Sequence, residues 1–435
     1  MSMDEDVKVE EVTSTVGQEG EISITEPVEA ISTAPVTRVK KRPRTSPPGS
    51  RVTTPIPSEA AISAAVQAAV AQAAQAANLT GLCGLLTTSQ GIPSVEQVRQ
   101  AAQKAVADVP PYVHLSSRDS APQLKIENGL VVTGGMRGYR MARASHGVTE
   151  GNYYYEVLVM PPPSIKEIMA SLPPNVRLGR KLQKQLQEQL LKEESKESNQ
   201  PAVGGNLRIG WSMRTGDLQA PVGYDKWSYG LRDIAGSRIH ASRREDNWGG
   251  EPFGPGDVVG FAISLKSQHP NHIRFFKNGE AMGHFVVTRG KREGGAAFEN
   301  IEDGTYYPAI SSYLGGSARV NFGPHFVFSP RSLPSGLKLK PVSDLCTPPP
   351  TPEEAVNNAM KEKIFKKTDD SIVVAFRAAI ETEARIRHEA YQAHMRRHAE
   401  EVRRLRKQRN LSIVELSQPK GDGAASNVKE DTSVL

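Results

Sequence analysis

The distribution of aromatic residues constrains this chain more than any motif does. No Phe, Trp or Tyr occurs before Tyr112, and after Phe328 only Phe365, Phe376 and Tyr391 follow. Bulky apolar groups offset the entropy of ordering a chain. A packed core is therefore expected between about Tyr112 and Leu345, not across all 435 residues. The 38% hydrophobic content fits a chain that is globular only in part.

Inside that window, short β-rich runs alternate with turn residues. QLKIE and LVVT flank Asn128-Gly129, and YRMARAS follows Gly138. NYYYEVLVM, LRIGWSM, DVVGFAISL, HIRFFKNG, YYPAISSY and ARVNFG come after them. NYYYEVLVM is apolar on both registers, as in a strand covered on both faces. Asn278-Gly279 between two such runs signals a tight hairpin. Many short strands without intervening helices predict an all-β antiparallel sandwich over 111–345. One insertion, 161–205, breaks the pattern, because KLQKQLQEQLLKEE is helical and charged.

The flanks read differently. Residues 1–57 are disordered by composition. In 58–110, an alanine-rich helix is expected to start near Ser58 and end by Gly81, and Ser94 with Gln97 has capping-box spacing for a second. Neither has the bulk for a core of its own, so this segment reads as a spacer. Residues 346–368 form a proline-rich linker. The stretch 369–409 lacks Pro and Gly and predicts one helix about 60 Å long. Disorder returns over 410–435.

The net charge of +6 is arranged in blocks. Lys40, Lys41, Arg42 and Arg44 form a cluster of nuclear-import type within a Pro/Ser/Thr-rich stretch. Along the C-terminal helix, Arg396, Arg397, Arg403, Arg404 and Arg406 are candidate contacts to DNA phosphate, diluted by Glu389, Glu400 and Glu401. Cys83 and Cys346 are too few for a zinc finger. No secretory leader is visible, and no apolar run approaches the roughly 20 residues of a membrane span. A soluble nuclear chain with no membrane partner is expected.

No catalytic constellation stands out. Ser145-His146 lacks a GxSxG elbow and a carboxylate partner. Gly134 to Gly138 joins two strands rather than opening a helix. His394 and His398 lack a third ligand. Asp225 and Asp233 read as acceptors for loop amides. No enzyme activity, cofactor, metal or small-molecule substrate is expected. What remains is NLRIGWSMRTGDLQAPVGYDKWSYGLRD, which sets Arg208, Pro221, Tyr224 and Arg232 around one loop. A guanidinium is a rigid fork of donors suited to carboxylates or phosphates, and a tyrosine ring adds flat contact area. Loops on a rigid sandwich commonly carry binding.

The runs APQLKI, GYRMARASHGV, LRIGW, LQAPVGYDKWSY, GDVVGF, FFKNG, YYPAIS and VNFGP stand in the order found in one known family. Residues 121–326 resemble the SPRY (B30.2-like) domain of the absent-small-homeotic-discs-2 (Ash2/Bre2) family, subunits of COMPASS histone H3 lysine-4 methyltransferase complexes. The resemblance implies a non-catalytic scaffold that activates a SET-domain methyltransferase. It implies a pocket of Arg208, Pro221, Tyr224 and Arg232 clamping an acidic segment of a WD-repeat subunit of the retinoblastoma-binding protein 5 type. It further implies that FRAAIETEAR docks on a dumpy-30-type dimer through Val373, Phe376 and Ile380. Arg377 stands where the family prefers an aliphatic residue. The zinc finger and winged helix of animal members are not expected in these residues. Two other readings stay open: a SPRY substrate-recognition adaptor, and a nucleic-acid-associated SPRY protein using the basic helix.

Overall fold

The computed structural model describes residues 70–75, 78–88, 91, 93–135, 137–163, 206–288, 291–361 and 370–409, with isolated positions 68, 180, 184 and 187. The basic cluster at 40–44, most of the 161–205 insertion and the tail after 409 lie outside them.

Two antiparallel sheets form the body. The first runs β1 (Leu115–Ser120), β4 (Arg140–Ala144), β16 (Tyr307–Tyr313), β6 (Asn206–Ser212), β7 (Ser228–Arg232), β8 (Arg238–His240), β9 (Arg243–Glu245). The second runs β12 (Glu280–Ala281), β11 (His272–Lys277), β10 (Val258–Leu265), β5 (Gly151–Met160), β17 (Ser317–Asn321), β3 (Val131–Thr133), β2 (Lys125–Glu127). β15 (Phe298–Glu299) pairs with β11, and β18 (Lys340–Pro341) lies parallel to β5. β13 (Phe285–Thr288) and β14 (Lys291–Gly294) make a separate hairpin.

Strand alternation decides what the sheets bury. Leu207, Ile209 and Trp211 of β6 face Tyr155, Val157 and Val159 of β5 in one core. Tyr155 meets Trp211 edge-on at 5.1 Å between ring centroids. The expected all-β sandwich is present, and NYYYEVLVM is its central strand, paired on both sides. Both Asn-Gly pairs turn hairpins: Asn128 and Gly129 have φ of 52° and 65°, Asn278 and Gly279 of 50° and 85°.

Among the described residues, helices α1 (Thr80–Thr88), α2 (Val95–Asp108), α3 (Pro352–Lys361) and α4 (Asp370–Gln408) flank the sandwich. The Ser94–Gln97 capping box opens α2 as expected. One expectation holds and two change. The alanine-rich helix ends before Gly81, as expected: Asn78, at φ 56°, breaks it, and a separate helix, α1, runs through Gly81. A Cβ at Gly81 would lie 2.9 Å from Ala102 Cα, so its absence lets α1 and α2 approach closely. The proline-rich linker contains α3, opened by a capping box in which Thr351 and Glu354 exchange hydrogen bonds. The 58–110 segment is no spacer, since Leu79, Leu82, Leu86 and Val98 pack with Val356 of α3 and Phe376 and Ile380 of α4.

Candidate binding site

The site lies on the outer face of the first sheet. On β6, inward Leu207 and Ile209 alternate with outward Arg208 and Gly210. Arg208 is in register with Arg232 on β7, and Gly210 with Gly230. The 213–227 loop crosses this face over small residues. Val222, Met141 and Ala309 form a minor apolar cluster beneath it, and a Cβ at Gly230 would stand only 3.0 Å from Val222 O.

Both ends of the loop are pinned. At its start, Arg143 Nη1 donates to Met213 O (2.7 Å) and Gly216 O (2.9 Å), and Nη2 to Arg214 O (3.1 Å). At its end, Asp225 accepts from Asp217 N, Trp227 N and Ser228 Oγ. Asp233 accepts from Leu207 N and Ile234 N, both at 2.8 Å. The two aspartates are the amide acceptors the sequence implied. Between the pinned ends, Val222 N donates to Ser311 Oγ, which donates to Arg208 O, each at 3.0 Å. Pro221 thus stands one hydroxyl away from the Arg208 backbone. Gly223 follows at φ +86°, where a Cβ would come within 2.6 Å of Ile239 O. Tyr224 is at the rim, 54% exposed, with its carbonyl held by Ser242 Oγ.

The electrostatics set Arg208 and Arg232 apart. Each has a buried Nε with no hydrogen-bond partner among the described residues. The nearby carboxylates are committed elsewhere: Asp233 to backbone amides, Asp246 to Ser237 Oγ and Arg244. Burial lowers the pKa of Arg208; Tyr139 partly offsets this, and repulsion from Arg232 and Arg244 adds to it. The Arg208 guanidinium stands 4.9 Å from the centroid of the Tyr139 ring, which packs against Tyr313. Burial pushes the Tyr139 phenol up, and the Asp233 charge reinforces that. The result is a half-buried pair of cations, Arg208 over an aromatic ring, short of anionic acceptors. Sequence spacing found Arg208, Pro221, Tyr224 and Arg232. It missed Tyr139, Tyr313 and Arg244, which strand order alone brings there.

The comparisons with known proteins agree with this architecture. Residues 200–325 match the SPRY domain family model. The Set1/Ash2 histone methyltransferase complex subunit ash-2 of Caenorhabditis elegans is 32% identical over 264 residues, 52% of this chain and 38% of that protein. Its Drosophila melanogaster counterpart ASH2 is 28% identical over 260 residues, 51% of this chain and 37% of that one. The COMPASS component BRE2 of Saccharomyces cerevisiae is 32% identical over 167 residues, 37% of this chain and 32% of that one. The chain carries a SPRY domain and is similar to the Ash2/Bre2 proteins. It covers less than two fifths of the length of each of these relatives. The SPRY domain of human HERC1 aligns over 49% of this chain and 99% of its own, at 17% identity and a TM-score of 0.32.

The structure places two groups of the candidate residues against the chain itself. The docking face of α4 is enclosed by the chain's own helices: Phe376 and Ile380 are each 1% exposed, and Val373 is half-buried. Glu383 on the same face caps α1, accepting from Gly81 N at 2.7 Å and Leu82 N at 2.5 Å. Arg406 is no DNA contact. It is 6% exposed, and its Nε and Nη2 both donate to Phe326 O, at 3.0 and 2.7 Å. Val402 and Leu405 pack beside it on Val258, Leu158 and Phe328, on the outer face of the second sheet. Arg319 pairs with Glu401, and Arg409 caps the contact over Phe328.

The residues set aside as non-catalytic have structural places. Ser145 Oγ accepts from His114 N and ties β4 to the start of β1. His394 stacks on Tyr112 at 3.6 Å, and His398 bonds His325 O at 3.1 Å. Among the described residues no helix is long and apolar enough to cross a membrane.

Proposed function

We propose that this chain is a non-catalytic nuclear subunit of a COMPASS-type histone H3 lysine-4 methyltransferase assembly. In this reading, Arg208 and Arg232 grip the carboxylates of an acidic segment on a partner subunit, of the WD-repeat type. Pro221 and Tyr224 form the rim against which that segment lies. The observation that carries the reading is the pair of in-register guanidiniums whose buried Nε groups lack acceptors. Bidentate carboxylates supply those acceptors and relieve the repulsion between the cations. The names of the relatives support the assembly. A dumpy-30-type dimer reading Val373, Phe376 and Ile380 has to displace α1 and α2 first, because those helices cover the face.

The test is reconstitution of methyltransferase activity from a SET-domain subunit, its WD-repeat partners and the full chain. Wild type raises the rate of lysine-4 methylation; the Arg208→Ala, Arg232→Ala variant loses most of that stimulation while melting normally. Equal stimulation by the variant removes the pocket from the mechanism.

A further inference from the structure

The C-terminal half of α4 has two sides of opposite character. One side is fixed on the sandwich through His398, Val402, Leu405, Arg406 and Arg409. The other carries Arg396, Arg397, Arg403, Arg404 and Lys407, all exposed. At 3.6 residues per turn these five fall within an arc of about 120°, along about 17 Å of axis. Among the described residues none of the five is ion-paired. Arg385, about three turns upstream, differs in being paired with Glu381 at 2.5 Å. Glu400 is the single carboxylate within the arc.

Cations on a docked helix do not lose the ordering entropy that a free basic tail loses on binding. Their spacing suits a polymer with a phosphate charge at about every 1.7 Å of axis. A membrane surface fits poorly, because an interfacial helix needs an apolar face to insert, and the apolar side of α4 is already spent on Val258 and Phe328.

We infer that the exposed face of α4 from Arg396 to Lys407 is a binding surface for duplex nucleic acid, read through its phosphates and indifferent to sequence. The surface excludes Arg406 and includes Lys407, which composition had not singled out. It goes beyond the pocket on the first sheet and uses none of its residues.

The experiment is fluorescence anisotropy of the full chain with a labelled duplex of about 30 base pairs, from about 50 to 200 mM salt. The comparison is a variant carrying Arg396→Gln, Arg397→Gln, Arg403→Gln, Arg404→Gln and Lys407→Gln, all surface changes that leave the melting temperature in place. If the five neutralise phosphates, wild type shows a log affinity against log salt slope steeper than the variant's by up to about 4.5. The variant then binds at least tenfold more weakly at the low-salt end. Glu400→Gln, which removes the carboxylate, tightens binding several-fold. Equal slopes for wild type and quintuple variant overturn the inference. So does capture of phosphatidylserine vesicles without capture of duplex. The two readings fail separately, since the quintuple variant tests the helix and Arg208→Ala the pocket.

Discussion

Arg143 and the Arg208–Arg232 pair project from the same face of the same sheet, in rows joined through Ala309 and Ser311. Arg143 is 2% exposed and saturated: it bonds both oxygens of Asp119, Ser212 Oγ and three loop carbonyls. Arg208 and Arg232 are less buried, yet each keeps an Nε without an acceptor. A buried cation with every donor used holds structure together. One kept short of acceptors holds binding capacity in reserve.

The largest expected effect breaks that contrast from the structural side. Arg143→Met leaves Asp119 and three carbonyls short of donors, and should cost about 3–5 kcal/mol in chemical denaturation. The loop it anchors should loosen, so acidic-peptide binding should go with it. Arg208→Ala should instead shift stability by no more than about 1 kcal/mol and still lose binding. A large stability loss in Arg208→Ala would erase the distinction.

Gly223→Ala comes next. It forces a side chain into a left-handed backbone against Ile239 O, at about 1–3 kcal/mol by melting, and should shift the Pro221 turn enough to weaken the pocket. Glu383→Gln removes a carboxylate from the first turn of α1 and should cost about 1–2 kcal/mol. Hydrogen exchange should quicken in α1, while pocket affinity stays as it was.

A further effect is pH-dependent and sits at the seam between α4 and the second sheet. Burial, followed by neighbouring cationic groups, lowers His394 to about 4. Burial likewise lowers His398 to about 4, against a bond to His325 O. Stability from this pair is full above pH 6.5 and is lost as pH falls through 4, because the unfolded chain takes protons the folded chain refuses. Glu156, raised by burial to about 7 despite bonds from Val327 N, Phe328 N and Asn321 Nδ2, works oppositely. Its folded form keeps a proton that the unfolded form releases between 4.5 and 7. Two sites against one leave a net loss on acidification of up to about 1.4 kcal/mol per pH unit. In His394→Asn, His398→Asn the sign should reverse, as read from urea midpoints between pH 4.5 and 6.5.

Much of the fold was legible because local chemistry dictated it: the Asn-Gly turns, the Ser94 cap, and the apolar runs of β5, β6 and β10. The arginine pair was legible through spacing and family resemblance. Its difference from Arg143 was not, since three arginines look alike until strand register and loop path assign their acceptors. Tyr139, Tyr313 and Arg244 reach the pocket from distant strands, so no spacing along the chain relates them. The helical flank misled for another reason. Alanine-rich sequence looks too thin for a core, yet Ala73 and Ala74 join Leu79, Leu82, Leu86 and Val98 in one cluster with Phe376 and Ile380, and Gly81 lets α1 close on Ala102 of α2. The Thr-Pro-Glu-Glu start of α3 was in plain view as a capping box, masked by the prolines before it.

The most direct test of the central claim is calorimetric titration of the full chain with an acidic peptide, for wild type and for Arg208→Ala, Arg232→Ala. The account predicts saturable binding by wild type, weakened at least tenfold in the double variant with an unchanged melting temperature. Equal binding by both, or none by wild type, would contradict it.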